Sequence, residues 1–174
     1  QGYKIKKPKR SEEYVYWKDF IRKGLNYQDN QAVHTGKDTP AVILHSGGTT
    51  GTPKGIVLTN GNFNALSKQA KIVFKDVTIG TKILAIMPIF HGFGLGVSIN
   101  APLALGCEVI LIPQFNAKKF DKLIEKYKPN ILFGVPTLYE ALINTNNHHL
   151  NLSMLTYVIS GGDSLSTTLE RKIN

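Results

Sequence analysis

Residues 107–134 read CEVILIPQFNAKKFDKLIEKYKPNILFG, and their order decides the fold class. The run from Cys107 to Ile112 is apolar and rich in β-branched residues, as in a buried strand. Asn116 then stands where a helix N-cap belongs, and Phe120, Leu123, Ile124 and Tyr127 recur at helical spacing until Pro129 stops the helix. A second apolar run follows at 130–134. Strand, amphipathic helix and strand in succession are the unit of a parallel sheet covered by crossover helices.

Outward from this unit the alternation continues. Runs at 41–46, 82–87 and 155–160 read as further strands of the same sheet, and 60–75 and 137–144 as helices. The Gly-rich apolar stretch 91–105 reads as a buried helix or as a loop followed by one. The expected fold class is α/β, a mostly parallel sheet flanked by helices. Residues 1–39 read as a connector, with a helix-like segment from Ser11 to Lys23 and a polar linker to Pro40. Residues 40–174 read as a partial domain, because the segment from Leu165 to Asn174 opens a helix and stops with no C-cap, as in a truncated chain.

Composition bounds the function. An apolar fraction of 42% supports one buried core and argues against disorder. No stretch approaches the roughly 18 to 20 apolar residues of a membrane span. The single cysteine, Cys107, cannot form an internal disulfide, which suits a reducing, cytoplasmic setting. The net charge of +9 fits a polyanionic partner. Part of that excess is the cluster Lys4, Lys6, Lys7, Lys9 and Arg10, and no exposed aromatics are interleaved with basic residues as a nucleic-acid binder requires. Nucleic acid is therefore not an expected partner; a phosphorylated small molecule is, with peripheral membrane contact left open. An incomplete sheet would also leave an apolar face through which such a piece could self-associate.

The segment Ser46-Gly47-Gly48-Thr49-Thr50-Gly51-Thr52-Pro53-Lys54-Gly55 follows the apolar run Ala41 to Leu44 directly. Glycines let backbone N–H groups surround phosphate oxygens, hydroxyls add hydrogen bonds or join a Mg²⁺ shell, and a lysine supplies positive charge. A short Gly-Thr pair alone is an ordinary surface turn. Four glycines, four hydroxyl residues and a lysine in ten positions cost much backbone entropy to order, which favours a ligand. No Gly-Lys-Ser/Thr ending is present, so the loop is not a Walker A motif.

Gly48 to Gly55 resembles the signature loop of the adenylate-forming (AMP-dependent synthetase/ligase) superfamily, which contains acyl-CoA synthetases, luciferases and peptide-synthetase adenylation domains. Gly47-Gly48 is most like the long-chain fatty acyl-CoA ligase branch, and Ser46 matches the position whose hydroxyl helps hold Mg²⁺ or phosphate. Met87-Pro88-Ile89-Phe90-His91-Gly92-Phe93-Gly94 resembles the family's second motif. By itself, a lone histidine beside an apolar run is more often a packing residue than a catalyst. The resemblance makes His91 a candidate for orienting the acyl carboxylate or gating the pocket, with Phe93 and Val97 as pocket walls or core. Ser160-Gly161-Gly162-Asp163 resembles the Gly-Gly-Ala-x-Leu segment that lies against adenine and the acyl group, with Asp163 in place of the small residue. Gly134-Val135-Pro136-Thr137 resembles the Val-Pro-Thr turn, a scaffold or pocket-edge feature.

The resemblance spans roughly residues 40 to 170 and implies an internal piece of an N-terminal domain. Its implied reaction is attack of a carboxylate on the ATP α-phosphate, then thioester formation with CoA. Lys54 and Thr50 are the expected catalytic residues together with His91. Ser46, Gly47, Gly48, Thr49, Gly51, Gly161, Gly162 and Asp163 are expected to hold the nucleotide; Phe93, Val97 and Gly134 line the acyl side. The family's later motifs, including its Mg²⁺-binding acid, ribose-binding aspartate and catalytic lysine, are absent from this sequence, so the chain alone is expected to be nearly inactive. An amino-acid-activating domain is the alternative enzyme, and a non-catalytic nucleotide-binding module the alternative of another class.

Overall fold

The computed structural model describes residues 13, 15–25, 27, 35–46, 53–144 and 150–173. The chain divides into two compact units, Gln1–His34 and Thr35–Asn174. In the first, α1 (Trp17–Leu25) starts where Tyr16 C=O accepts from the Asp19 and Phe20 amides. Asp19 pairs with Arg22 one turn on, and Trp17 stacks on Phe20.

The second unit opens with a hairpin. β1 (Pro40–Ser46) pairs antiparallel with β2 (Lys54–Thr59), the register running from Leu44 opposite Ile56 to Ser46 opposite Lys54. This corrects the expectation for 41–46, which was read as a buried strand of the parallel sheet. The physical reason is connection length. Seven residues separate Ser46 from Lys54, the next strand's first residue, far fewer than the dozen or so that a parallel crossover needs. One face of the hairpin is left open, with Ile43 60% exposed and Val57 52% exposed.

α2 (Asn60–Val73) follows without a break. Thr59 Oγ1 accepts from Asn62 N–H while Asn62 Oδ1 accepts from Thr59 N–H, a complete capping box. The remaining strands make the predicted parallel sheet: β3 (Lys82–Ala85), β4 (Glu108–Leu111), β5 (Ile131–Gly134) and β6 (Tyr157–Ser160), in the order β4-β3-β5-β6. Ile83, Leu84, Ile131 and Leu132 are buried almost completely, since helices cover both faces. One face packs Phe120 and Ile124 of α4 (Phe120–Tyr127) with Tyr139 of α5 (Pro136–Ile143) and Leu169 of α6 (Thr167–Ile173). The other packs Phe133 and Cys107 against Phe74, Phe93 and Val97. Burial raises the Cys107 thiol pKa above its ordinary value.

The helix expected from Asn116 begins as a single 3₁₀ turn, Ala117–Lys119, where Asn116 Oδ1 accepts from Lys118 N–H, and continues as α4. Within the stretch 91–105, residues 92–104 are helical, with a π-helix over Phe93–Asn100 running into α3 (Ala101–Ala104). Ala101 N–H donates to Gly96 C=O five residues back. Gly94 is required here: a Cβ on it would stand 2.0 Å from the Pro88 carbonyl oxygen. No helix among the described residues is long and apolar enough to cross a membrane.

Candidate nucleotide and carboxylate site

The strands of a parallel sheet all end on one side, and the turns that follow them are where such sheets collect ligands. After β3 comes the turn Pro88–His91, closed by His91 N–H donating to Pro88 C=O. His91 stands two residues before the π-helix. Its carbonyl accepts from Leu95 N–H at 2.9 Å and its Nδ1 accepts from Phe93 N–H at 3.2 Å. An Nδ1 that accepts leaves the proton of the neutral imidazole on Nε2, so this exposed residue presents a donor.

Phe93 is the residue that joins the motifs. A Cβ built on Gly161 would lie 3.3 Å from Phe93 Cζ, so the ring rests on the glycine turn after β6. Gly161 N–H in turn donates to Gly134 C=O at 3.0 Å, continuing the β5–β6 ladder one step past the strands. Gly162 takes φ +81°, a left-handed conformation that side-chain-bearing residues adopt at a cost. His91, Phe93, Gly134, Gly161 and Gly162 therefore gather at the carboxyl ends of β3, β5 and β6. The hairpin touches the same region, since a Cβ on Gly92 would come within 3.9 Å of Leu44 Cδ1.

Ser46 and Lys54 face each other at the end of the hairpin, both exposed, and so bracket the glycine-rich loop. Gly47, Gly48, Thr49, Thr50 and Gly51 lie outside the described residues. Val97 sits deeper than the glycine turns, lining an apolar cavity of about 200 Å³ with Leu66, Phe74, Ile83, Cys107 and Phe133. Phe93 meets Phe133 edge-to-face at 6.3 Å, which sets its ring beside that cavity. Asp163 is exposed, and its Oδ1 accepts from Ser164 N–H at 2.7 Å, a local turn bond. Among the described residues no group of three or more His, Cys, Asp or Glu side chains could hold a metal ion.

Two residues of this region escaped the sequence reading. Tyr139 lies beneath Gly134, with its ring 3.0 Å from where a Cβ would be. Burial raises its phenol pKa well above the usual value. Ser160 Oγ is buried beside the glycine turn and has no hydrogen-bond partner among the described residues. A tyrosine on the inner face of 137–144 was the available signal for the first. The second had none, because a serine before two glycines is ordinary turn composition.

A parallel sheet with glycine turns at its strand ends, beside a hairpin closed by a Gly/Thr/Lys loop, is the build of an α/β nucleotide-handling protein. The model of the family described as AMP-binding enzyme matches residues 3–174, and the chain belongs to that family. It is 37% identical, over 76% of its length, to the long-chain-fatty-acid–CoA ligase of Bacillus subtilis (strain 168), of which it covers 24%. Its fold is similar to the N-terminal domain of FACL13 from Mycobacterium tuberculosis in an inhibitor-bound crystal structure. There the TM-score is 0.78 at 27% identity, covering 90% of this chain and 39% of that one. ATP-bound MatB from Rhodopseudomonas palustris matches with a TM-score of 0.71 at 29% identity, over 79% of this chain and 27% of its own. The chain thus spans about a quarter of the length of the curated relatives it matches.

Proposed function

We propose that the protein activates a carboxylic acid with ATP, forming an acyl-adenylate and pyrophosphate and then an acyl-CoA thioester, and that this chain supplies its phosphate loop and the floor of its acyl and adenine pocket. The observation that carries the reading is the Phe93 ring seated on Gly161, because it joins the histidine turn and the glycine turn in one cleft. The likeness to a fatty-acid CoA ligase and to an ATP-bound relative supports both co-substrates.

Two anions have to meet in this reaction, so charge neutralisation and alignment supply most of the acceleration. Lys54 and the hydroxyls of Ser46, Thr49 and Thr50 bear on the triphosphate, and the backbone N–H groups of Gly47, Gly48 and Gly51 surround it. His91 Nε2 donates to the acyl carboxylate. The Gly161-Gly162 backbone lies against adenine, Asp163 stands at its edge, and Gly134 borders the acyl side. A fatty or similarly apolar acid is the substrate class, and the apolar cavity beyond Phe93 and Val97 supports it. Mg²⁺ fits only as a companion of the triphosphate, with Ser46 Oγ as one ligand. Among the described residues no carboxylate cluster completes its shell. A buried free thiol at Cys107 suits a cytoplasmic setting.

The amino-acid-activating alternative needs an acid to hold the substrate amine. Asp163, the acid beside the glycine turn, is engaged by its neighbouring amide. Calorimetric titration with a non-hydrolysable fatty acyl-adenylate analogue tests the proposal. The chain should bind it, and Lys54→Ala with Thr50→Ala should weaken binding at least about tenfold, the scale of a charge-assisted hydrogen bond. Equal binding by the variant would remove the loop from the site.

A further inference from the structure

Tyr139 is 2% exposed, and its hydroxyl lies at the seam between two parallel strands. The oxygen stands 2.6 Å from Ile159 C=O of β6 and 3.2 Å from Leu132 C=O of β5. A phenol has one proton, so it donates to one carbonyl at a time, and Ile159 is the nearer. Its ring fills the space directly beneath Gly134, with Cζ 3.0 Å and Oη 3.1 Å from a Cβ position there. Gly134 C=O accepts from Gly161 N–H. The one side chain therefore bears on both strands immediately before the backbone bond that ties the glycine turn down.

An apolar residue of similar size would fill this space with no hydroxyl to satisfy, whereas burying a phenol oxygen is costly unless it is hydrogen-bonded. The hydroxyl's bonds go to main-chain carbonyls two residues before Gly161 and Gly134, where the strands give way to the turns. We propose that Tyr139 is a positioning residue, which holds the Gly161-Gly162 turn at a fixed height through Ile159 C=O and the Gly134 backbone. This rests on the reading of that turn as the floor beneath the nucleotide. Without the strut the two strand ends separate or slide, and the turn meets a flat ring at the wrong height.

Tyr139→Phe keeps the ring and removes only the hydroxyl, so the test is amide hydrogen exchange on the 174-residue chain without ligand. Exchange at Gly161 should accelerate about five- to tenfold, the scale of one net hydrogen bond. Leu84 and Ala85 in β3 should change less than about twofold once any shift in unfolding midpoint is taken out. Acceleration shared equally by Leu84 and Ala85, or none at Gly161, overturns the proposal and leaves Tyr139 as a core residue. Protection of Gly161 by added ATP in the unmutated chain tests the nucleotide reading by itself. The two ideas therefore fail separately.

Discussion

The hairpin and the four-stranded sheet carry the two halves of one candidate site on very different foundations. Ser46 and Lys54 stand at the tip of a two-stranded ribbon with Ile43 60% exposed. Gly134 ends β5, whose four residues are all buried, and Gly161 follows the half-buried β6 paired with it, with Tyr139 wedged behind Gly134. A two-stranded ribbon is marginal by itself, while a sheet covered on both faces gains most of the available hydrophobic stabilisation. The difference teaches that the phosphate end and the adenine end of such a site need not be equally rigid. A loop that must wrap a ligand is drawn from the weakly held part, and the surface that receives a flat ring from the strongly held part.

Substitutions can break this contrast. Phe120 is fully buried against the sheet and meets Phe115 edge-to-face, so Phe120→Ala should destabilise the chain by about 3–5 kcal/mol in chemical denaturation. A loss below about 1 kcal/mol would mean that the sheet is no better packed than the hairpin. At the junction of the two regions, Thr59→Ala removes the capping box where β2 becomes α2. It should cost about 1 kcal/mol and speed exchange in the first turn of α2 first. On the open face of the hairpin, Ile43→Ser should change stability by no more than about 0.5 kcal/mol. A larger loss would show that this face is covered in solution.

Much of this molecule could be read before folding, and the exceptions have identifiable causes. The four sheet strands and α4 were legible because each strand is a short apolar run, buried throughout in β5 and in part at the sheet edges β4 and β6, and a one-sided helix repeats its apolar residues at helical spacing. β2 was missed because Lys54–Thr59 is short, mostly exposed and contiguous with both the glycine-rich loop and the helix that follows. The same omission sent 41–46 into the wrong sheet. The π-helix was hidden because Phe93–Asn100 is apolar on every side and so has no periodicity to separate a helix from a buried loop. The proposed phosphate loop, in contrast, stands out in the sequence by composition, since its glycines, hydroxyls and lysine fall within one short segment.

The sequence by itself determined the α/β class, the family resemblance and the residue types of the candidate site, because these are properties of local order along the chain. Tertiary structure alone decided which of those residues meet. The contact of Phe93 with Gly161 and the hydrogen bond from Tyr139 to Ile159 C=O join positions 68 and 20 residues apart in the sequence. No local pattern encodes such contacts, because they arise only when strand ends are brought side by side and helices are packed across them.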